Sequence, residues 1–210
     1  MDFSHPVKTR SVAKSRGFTL IELMVVVIII GILAAIAMPQ IAARMRERRA
    51  NQAAQQIALV YRNARLRAMG RGFAVLVSYN SSGTGEFRVL ETLPAGGLED
   101  CIPRLPPSCT TTNWAAPAAT RLVERFNPTA ASGPNGIYSG VVVSVTEPSG
   151  SAASTLDLCF SPRGRAFSRV LVGSPLQPMT GVIDITVGRA APAFQRHINV
   201  LPNGMARVAL

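Results

Sequence analysis

Residues 18–38 are apolar at every position except Thr19 and Glu22. A run of that length, about twenty residues, spans a bilayer as a helix. A carboxylate inside such a run costs a few kcal/mol or more, so Glu22 demands a partner. Pro39 follows at once and would bend a helix, yet helical spacing resumes beyond it. Ala53, Ile57, Val60, Tyr61, Ala64 and Ala68 fall on one helical face, while Arg46, Asn51, Gln55, Arg62 and Arg65 lie largely elsewhere. The pattern predicts one helix over residues 18–69, roughly 75–80 Å long at 1.5 Å per residue. Its second half must therefore pack on something.

Gly70-Arg71-Gly72 ends the helix, and the periodicity then changes to that of strands. Strands are expected at 73–79, 87–90, 121–126, 138–145, 156–160, 169–172, 182–187, 198–201 and 206–210. Residues 80–85 read as a hairpin loop; Gly83-x-Gly85 is a turn, too short to cradle a phosphate. Pro202-Asn203-Gly204 marks a last hairpin, with Asn-Gly as the tight-turn pair. Residues 94–117, rich in Pro, Gly, Thr and Cys, form an insertion loop anchored by Trp114. The fold class is α+β: a long N-terminal α-helix, half transmembrane and half amphipathic, packed on an antiparallel β-sheet domain. The expected divisions are 1–17, 18–38, 39–70 and 71–210.

Arg16-Gly17-Phe18-Thr19-Leu20-Ile21-Glu22-Leu23-Met24 resembles the prepilin signature of type IV pilins and type II secretion pseudopilins. The resemblance implies a leader over 1–17, cleavage by a prepilin peptidase between Gly17 and Phe18, and N-methylation of Phe18. It also makes Glu22 the filament-assembly residue, meeting the first-residue amine of a neighbouring subunit. Later residues, Leu158-Cys159-Phe160-Ser161-Pro162-Arg163-Gly164-Arg165 and the stretch from Arg196 to Val208, look like the GspH/FimT branch of minor pilins and pseudopilins. A role in priming or capping a pilus, or in a type II secretion pseudopilus, is implied alike. The other reading is a secretory signal cut after Ala37, which would release a soluble binding protein or hydrolase.

Orientation by charge is balanced, because Lys8, Arg10, Lys14 and Arg16 precede the apolar run and Arg44, Arg46, Arg48 and Arg49 follow it. The resemblance breaks the tie: leader in the cytoplasm, single pass through the inner membrane, remainder in the periplasm and later at a pilus or pseudopilus tip. That compartment is oxidising. Of Cys101, Cys109 and Cys159, the expected bridge is Cys101–Cys109, closing the proline-stiffened loop, with a bridge to Cys159 as the competitor. Cys-x7-Cys fits no common zinc spacing, so neither metal nor cofactor is expected.

The net charge is +11. Removing the four leader cations and Asp2 leaves 18 basic and 10 acidic residues, so the mature chain stays near +8. Such an excess permits attraction to nucleic acid or acidic lipid. Some FimT-like minor pilins bind DNA through a C-terminal Gly-Arg-x-Arg turn; here Gly204-Met205-Ala206-Arg207 stands in its place, one arginine short. Arg163, Arg165, Arg196 and Arg207 are the DNA-binding candidates. No enzyme constellation stands out: His197 is the one histidine left after cleavage, and the chain lacks a Gly-x-Ser-x-Gly motif.

Overall fold

The computed structural model describes residues 18–81, 85–93, 108–128, 141–171, 173–188 and 194–209. Helix α1 runs from Leu20 to Arg71, and the chain divides after Arg44 into two units. In the first, Leu20–Met38 has a mean hydropathy of 3.0 and none of it is buried.

The second unit, Met45–Leu210, pairs the rest of α1 with two antiparallel sheets. One contains β1 (Val75–Asn80), β2 (Glu86–Thr92), β3 (Thr120–Phe126), β6 (Thr155–Phe160), β7 (Ala166–Arg169) and β8 (Gln177–Pro178), in the order β3-β2-β1-β6-β7-β8. The other contains β4 (Val142–Thr146), β5 (Ala152–Ala153), β9 (Ile183–Gly188), β10 (Gln195–Val200) and β11 (Ala206–Ala209), in the order β11-β10-β9-β4-β5. The α+β class is as expected. Strands β5 and β8, two residues each, are too short to leave a periodic signal. Residues 129–140, part of the expected 138–145 strand, lie outside the described residues.

Both sheets bury their apolar rows against one helix face. Ala53, Ala54, Ile57, Ala58, Tyr61, Ala64 and Ala68 share a single core with Val77 and Leu158 of the first sheet and Ile185 and Ile198 of the second. Alanines on that face remove the bulk that would hold the strands off. Tyr79 stacks on Phe87 with ring centroids 4.5 Å apart, and its hydroxyl donates to the Val143 carbonyl at 3.0 Å, tying sheet to sheet.

Strand β6 alternates: Leu156, Leu158 and Phe160 face this core, whereas Cys159 faces the other side with Leu76. There it meets Cys109 and Trp114, whose indole nitrogen donates to the Cys109 carbonyl at 3.2 Å. Cys109 is bridged to Cys159, with Cα atoms 5.8 Å apart. This corrects the expected Cys101–Cys109 bridge, of which Cys101 lies outside the described residues. The physical reason is the period of β6, which presents Cys159 to the covering segment. The bridge fastens that segment to the sheet instead of closing it on itself.

The last hairpin also differs from expectation. Only Gly204 has positive φ (77°), and its N–H donates to the Leu201 carbonyl at 2.8 Å. A two-residue Asn203-Gly204 turn would put Pro202 in the flanking ladder pair, where it has no N–H to donate, so Leu201 pairs with Met205 instead and the loop is a three-residue turn closed by glycine. Ser161–Arg165 repeats it, with Gly164 at φ 75° donating to the Ser161 carbonyl at 2.8 Å. Glu147–Ser151 repeats it again, with Gly150 at φ 86°.

At the end of the Phe87–Val89 row stands a buried charge. The Glu91 carboxylate, with 2% of its side chain exposed, takes Arg121 at 2.6 Å, Arg67 at 3.0 Å and Arg71 at 3.4 Å. Burial pushes this carboxyl upward, but hydrogen bonds from Arg67 and Arg121 and the charges of Arg67 and Arg71 outweigh it and hold the carboxyl below its ordinary range.

Because the folded-state value lies below the unfolded one, Glu91 stabilises fully above the ordinary carboxylate range near pH 4.3 and loses that contribution as pH falls through the folded value. Glu91→Gln should cost on the order of 1.5–3 kcal/mol at neutral pH by urea titration, toward the low end because the arginines are partly solvated. The difference from wild type should shrink on acidification. Non-reducing peptide mapping should recover Cys109 joined to Cys159; in a chain-entropy account a loop of this length contributes roughly 4 kcal/mol, so Cys159→Ser should lower the urea midpoint accordingly.

Candidate functional site

At the start of the first unit, Thr19 precedes the helix and its hydroxyl accepts the Glu22 N–H at 3.3 Å. Thr-x-x-Glu is the spacing of a capping box, and Glu22 is the acid of the first turn, where the helix dipole favours negative charge. Phe18 is 82% exposed. Gly17 lies outside the described residues. A chain beginning at Phe18 would carry its amine one helical turn from Glu22, two opposite charges at the same end of an apolar rod. Leu23, Val27, Ile30 and Leu33 are all exposed behind them.

In the second unit the sequence candidates separate. Arg163 and Arg165, beside Gly164 in the β6–β7 turn, and Arg207 on β11 are exposed. Arg196 is not: its guanidinium lies 4.5 Å over the Phe194 ring and 3.9 Å from Glu47, with 17% of the side chain exposed. It belongs to the packing of β10.

Arg65 of α1 sits between two of the glycine turns. Its Nε donates to the Gly164 carbonyl at 3.4 Å, and a Cβ on Gly204 would meet its Cδ at 3.1 Å. Arg62, one turn earlier, donates from Nε to the Ala206 carbonyl at 2.9 Å. Between helix and turn runs a groove of about 260 Å³ lined by Arg62, Arg65, Leu66, Met205 and Arg207. Arg62 and Arg65 were missed as site residues because on sequence they are merely the polar face of an amphipathic helix. The available signal was their i, i+3 spacing, which puts both on one stripe.

His197 Nδ1 lies 2.8 Å from Asp184 and 3.3 Å from the Thr186 hydroxyl, a cross-strand contact between β9 and β10. Asp157 is held by Arg169 at 2.7 Å. The carboxylates thus hold neighbouring strands together.

Residues 12–38 match the family described as the prokaryotic N-terminal methylation motif. It is a prepilin motif, so the N-terminal segment of the chain is similar to that of type IV pilins and pseudopilins. Among solved structures the chain is similar to the crystal structure of the type IV minor pilin FimU of Pseudomonas aeruginosa, with a TM-score of 0.41 and 11% identity over 76% of this chain and 92% of that one. No curated protein matches. The motif implies processing by a prepilin peptidase and assembly with other pilins, and the apolar helix fits a membrane-anchored pilin.

Proposed function

We propose that this pilin-like chain is a minor subunit that primes or caps a type IV pilus. It is made as a single-pass inner-membrane precursor, cleaved between Gly17 and Phe18, methylated on Phe18 and drawn into the filament by Glu22. The observation that carries this reading is an apolar helix, Leu20–Met38, with no residue buried and its one acid in the first turn. In a bilayer that surface is solvated by lipid; in a filament it is covered by equivalent helices. Within the apolar filament core, attraction between Glu22 and a neighbour's amine would be much stronger than in water. A type II secretion pseudopilus would use the same chemistry, and the neighbouring genes distinguish the two.

A second reading, DNA capture, is favoured by the exposure of Arg163, Arg165 and Arg207. Arg196 is left out of it, being committed to Phe194 and Glu47.

Mass spectrometry of the membrane-extracted protein should find a mature chain that begins at methylated Phe18. A chain beginning at Met38 would overturn the filament reading. Glu22→Ala should still be processed and inserted but should drop out of sheared filaments; normal incorporation would remove Glu22 from the assembly chemistry.

A further inference from the structure

Past Met38, helix α1 keeps an exposed surface that is apolar and cationic at once. The span Leu20–Met38, 19 residues, is roughly 28 Å long, close to the thickness of a bilayer's hydrocarbon core. Exposed apolar side chains nonetheless continue beyond it, with Ile41 58% and Met45 47% exposed. Arg44 and Arg48 are exposed as well. Spaced i, i+3, i+4 and i+7, these four fall on one stripe of the helix. At 3.6 residues per turn, Ala50, Ala53, Ala54 and Ile57, all buried, lie on the opposite side. The stripe therefore faces away from the chain's own core.

The two arginines keep their charge. Among the described residues no carboxylate pairs with Arg44 or Arg48; Glu47, next to Arg48 in sequence, faces Arg196 at 3.9 Å. Nor do they help set topology, since cations after the span oppose the orientation favoured by Lys8, Arg10, Lys14 and Arg16 before it. Their height along the helix gives them a use. Ile41 lies about 4.5 Å and Arg44 about 9 Å beyond Met38 along the axis, where a bilayer passes from hydrocarbon through its headgroups over roughly 5–8 Å. Arg48 is one turn higher. Cα–Cβ bonds in an α-helix tilt toward its N-terminus, so where this helix leaves the bilayer both arginines lean back toward it. Arginine buries its methylene stem in such an interface and presents its guanidinium fork to phosphate oxygens.

We infer that Ile41, Arg44, Met45 and Arg48 form an interfacial anchor for anionic phospholipid in the leaflet from which the helix emerges. Lipid is the occupant because the stripe continues the exposed apolar surface of the span and adds cations at the level of the headgroups. Ile41 and Met45 enter the acyl boundary, and the arginines take the phosphates. The inference rests on the single-pass precursor reading and adds to it a lipid class and the residues that recognise it. The contact holds the helix at one depth while the subunit waits in the membrane, and it is given up when the helix enters a filament.

The test places a photo-crosslinking residue at Met45 of the membrane-extracted chain, reconstituted in nanodiscs of equimolar phosphatidylglycerol and phosphatidylcholine, with the captured lipid read by mass spectrometry. Phosphatidylglycerol should be captured at least about tenfold over phosphatidylcholine at low salt, from two arginines near an anionic surface, and less so as salt rises. Arg44→Gln combined with Arg48→Gln should bring the ratio close to one, whereas the Arg44→Lys, Arg48→Lys pair should keep most of it. Arg88→Gln, the same loss of charge at an exposed site on β2, should leave it unchanged. A second photo-crosslinking residue, at Val27, checks that each variant is still inserted. Lipid captured at Val27 but not at Met45 would overturn the anchor and leave the membrane-spanning reading intact; no lipid at either position would overturn both. Equal capture of the two lipids by the wild-type arginines, or a preference that survives the glutamine pair, would remove the arginines from lipid recognition and sink the proposal. Crosslinks from Met45 to a second protein chain in place of lipid would assign the stripe to a helix partner instead.

Discussion

One helix carries two apolar surfaces of different make, and the rest of the structure depends on that division. From Leu20 to Met38 most side chains are large and apolar, and they are exposed on every side. A helix apolar all round belongs in lipid or among other helices. From Ala50 onward most of the apolar positions fall on one alanine-rich face that is buried, while Leu59, Leu66 and Met69 stay exposed. Small residues there let two sheets share one helix as their common floor. The first surface needs other molecules; the second is satisfied within the chain.

The polar side of that same helix does different work along its length. Near its end, Arg67 and Arg71 reach a buried carboxylate and, with Arg121, fix the end of β2 against the helix. A little earlier, Arg62 and Arg65 bind backbone carbonyls of the other sheet edge and of the 161–165 turn. Neutralised arginines hold the fold together, and those bonded only through Nε keep a full charge at the surface. Proline-x-glycine turns make this close approach possible, since Gly204 leaves room for Arg65 where any side chain would press on its Cδ and on Phe160.

Much of the fold was legible in the sequence because its strongest signals are local. The apolar run, the 3.6-residue stripe ending at Ala68 and the alternation of Ile183, Ile185 and Val187 all report burial directly. The helix ends within two residues of its expected limits. What escaped detection depends on contacts between distant segments. Cys159 looked like a leftover thiol until the pleat of β6 turned it to the outer face. Pro202 carried the information that excludes a two-residue turn, but Asn203-Gly204 is the louder local signal. Of the sequence-named arginines, Arg196 is recruited to packing by an aromatic neighbour two residues away. Arg62 and Arg65 could be assigned to a groove only once the terminal hairpin was set beside them. Thr19, Glu22 and the run behind them act through spacing along one helix, so their place at its start is a local signal.

The central claim is that the exposed apolar helix leaves lipid to pack against other pilin helices. It is tested most directly by a photo-crosslinking residue at Val27, activated in cells with assembled filaments and in cells lacking the assembly machinery. The account expects crosslinks to the N-terminal helices of other subunits in the first case and to lipid alone in the second. Identical lipid-only labelling in both would contradict it.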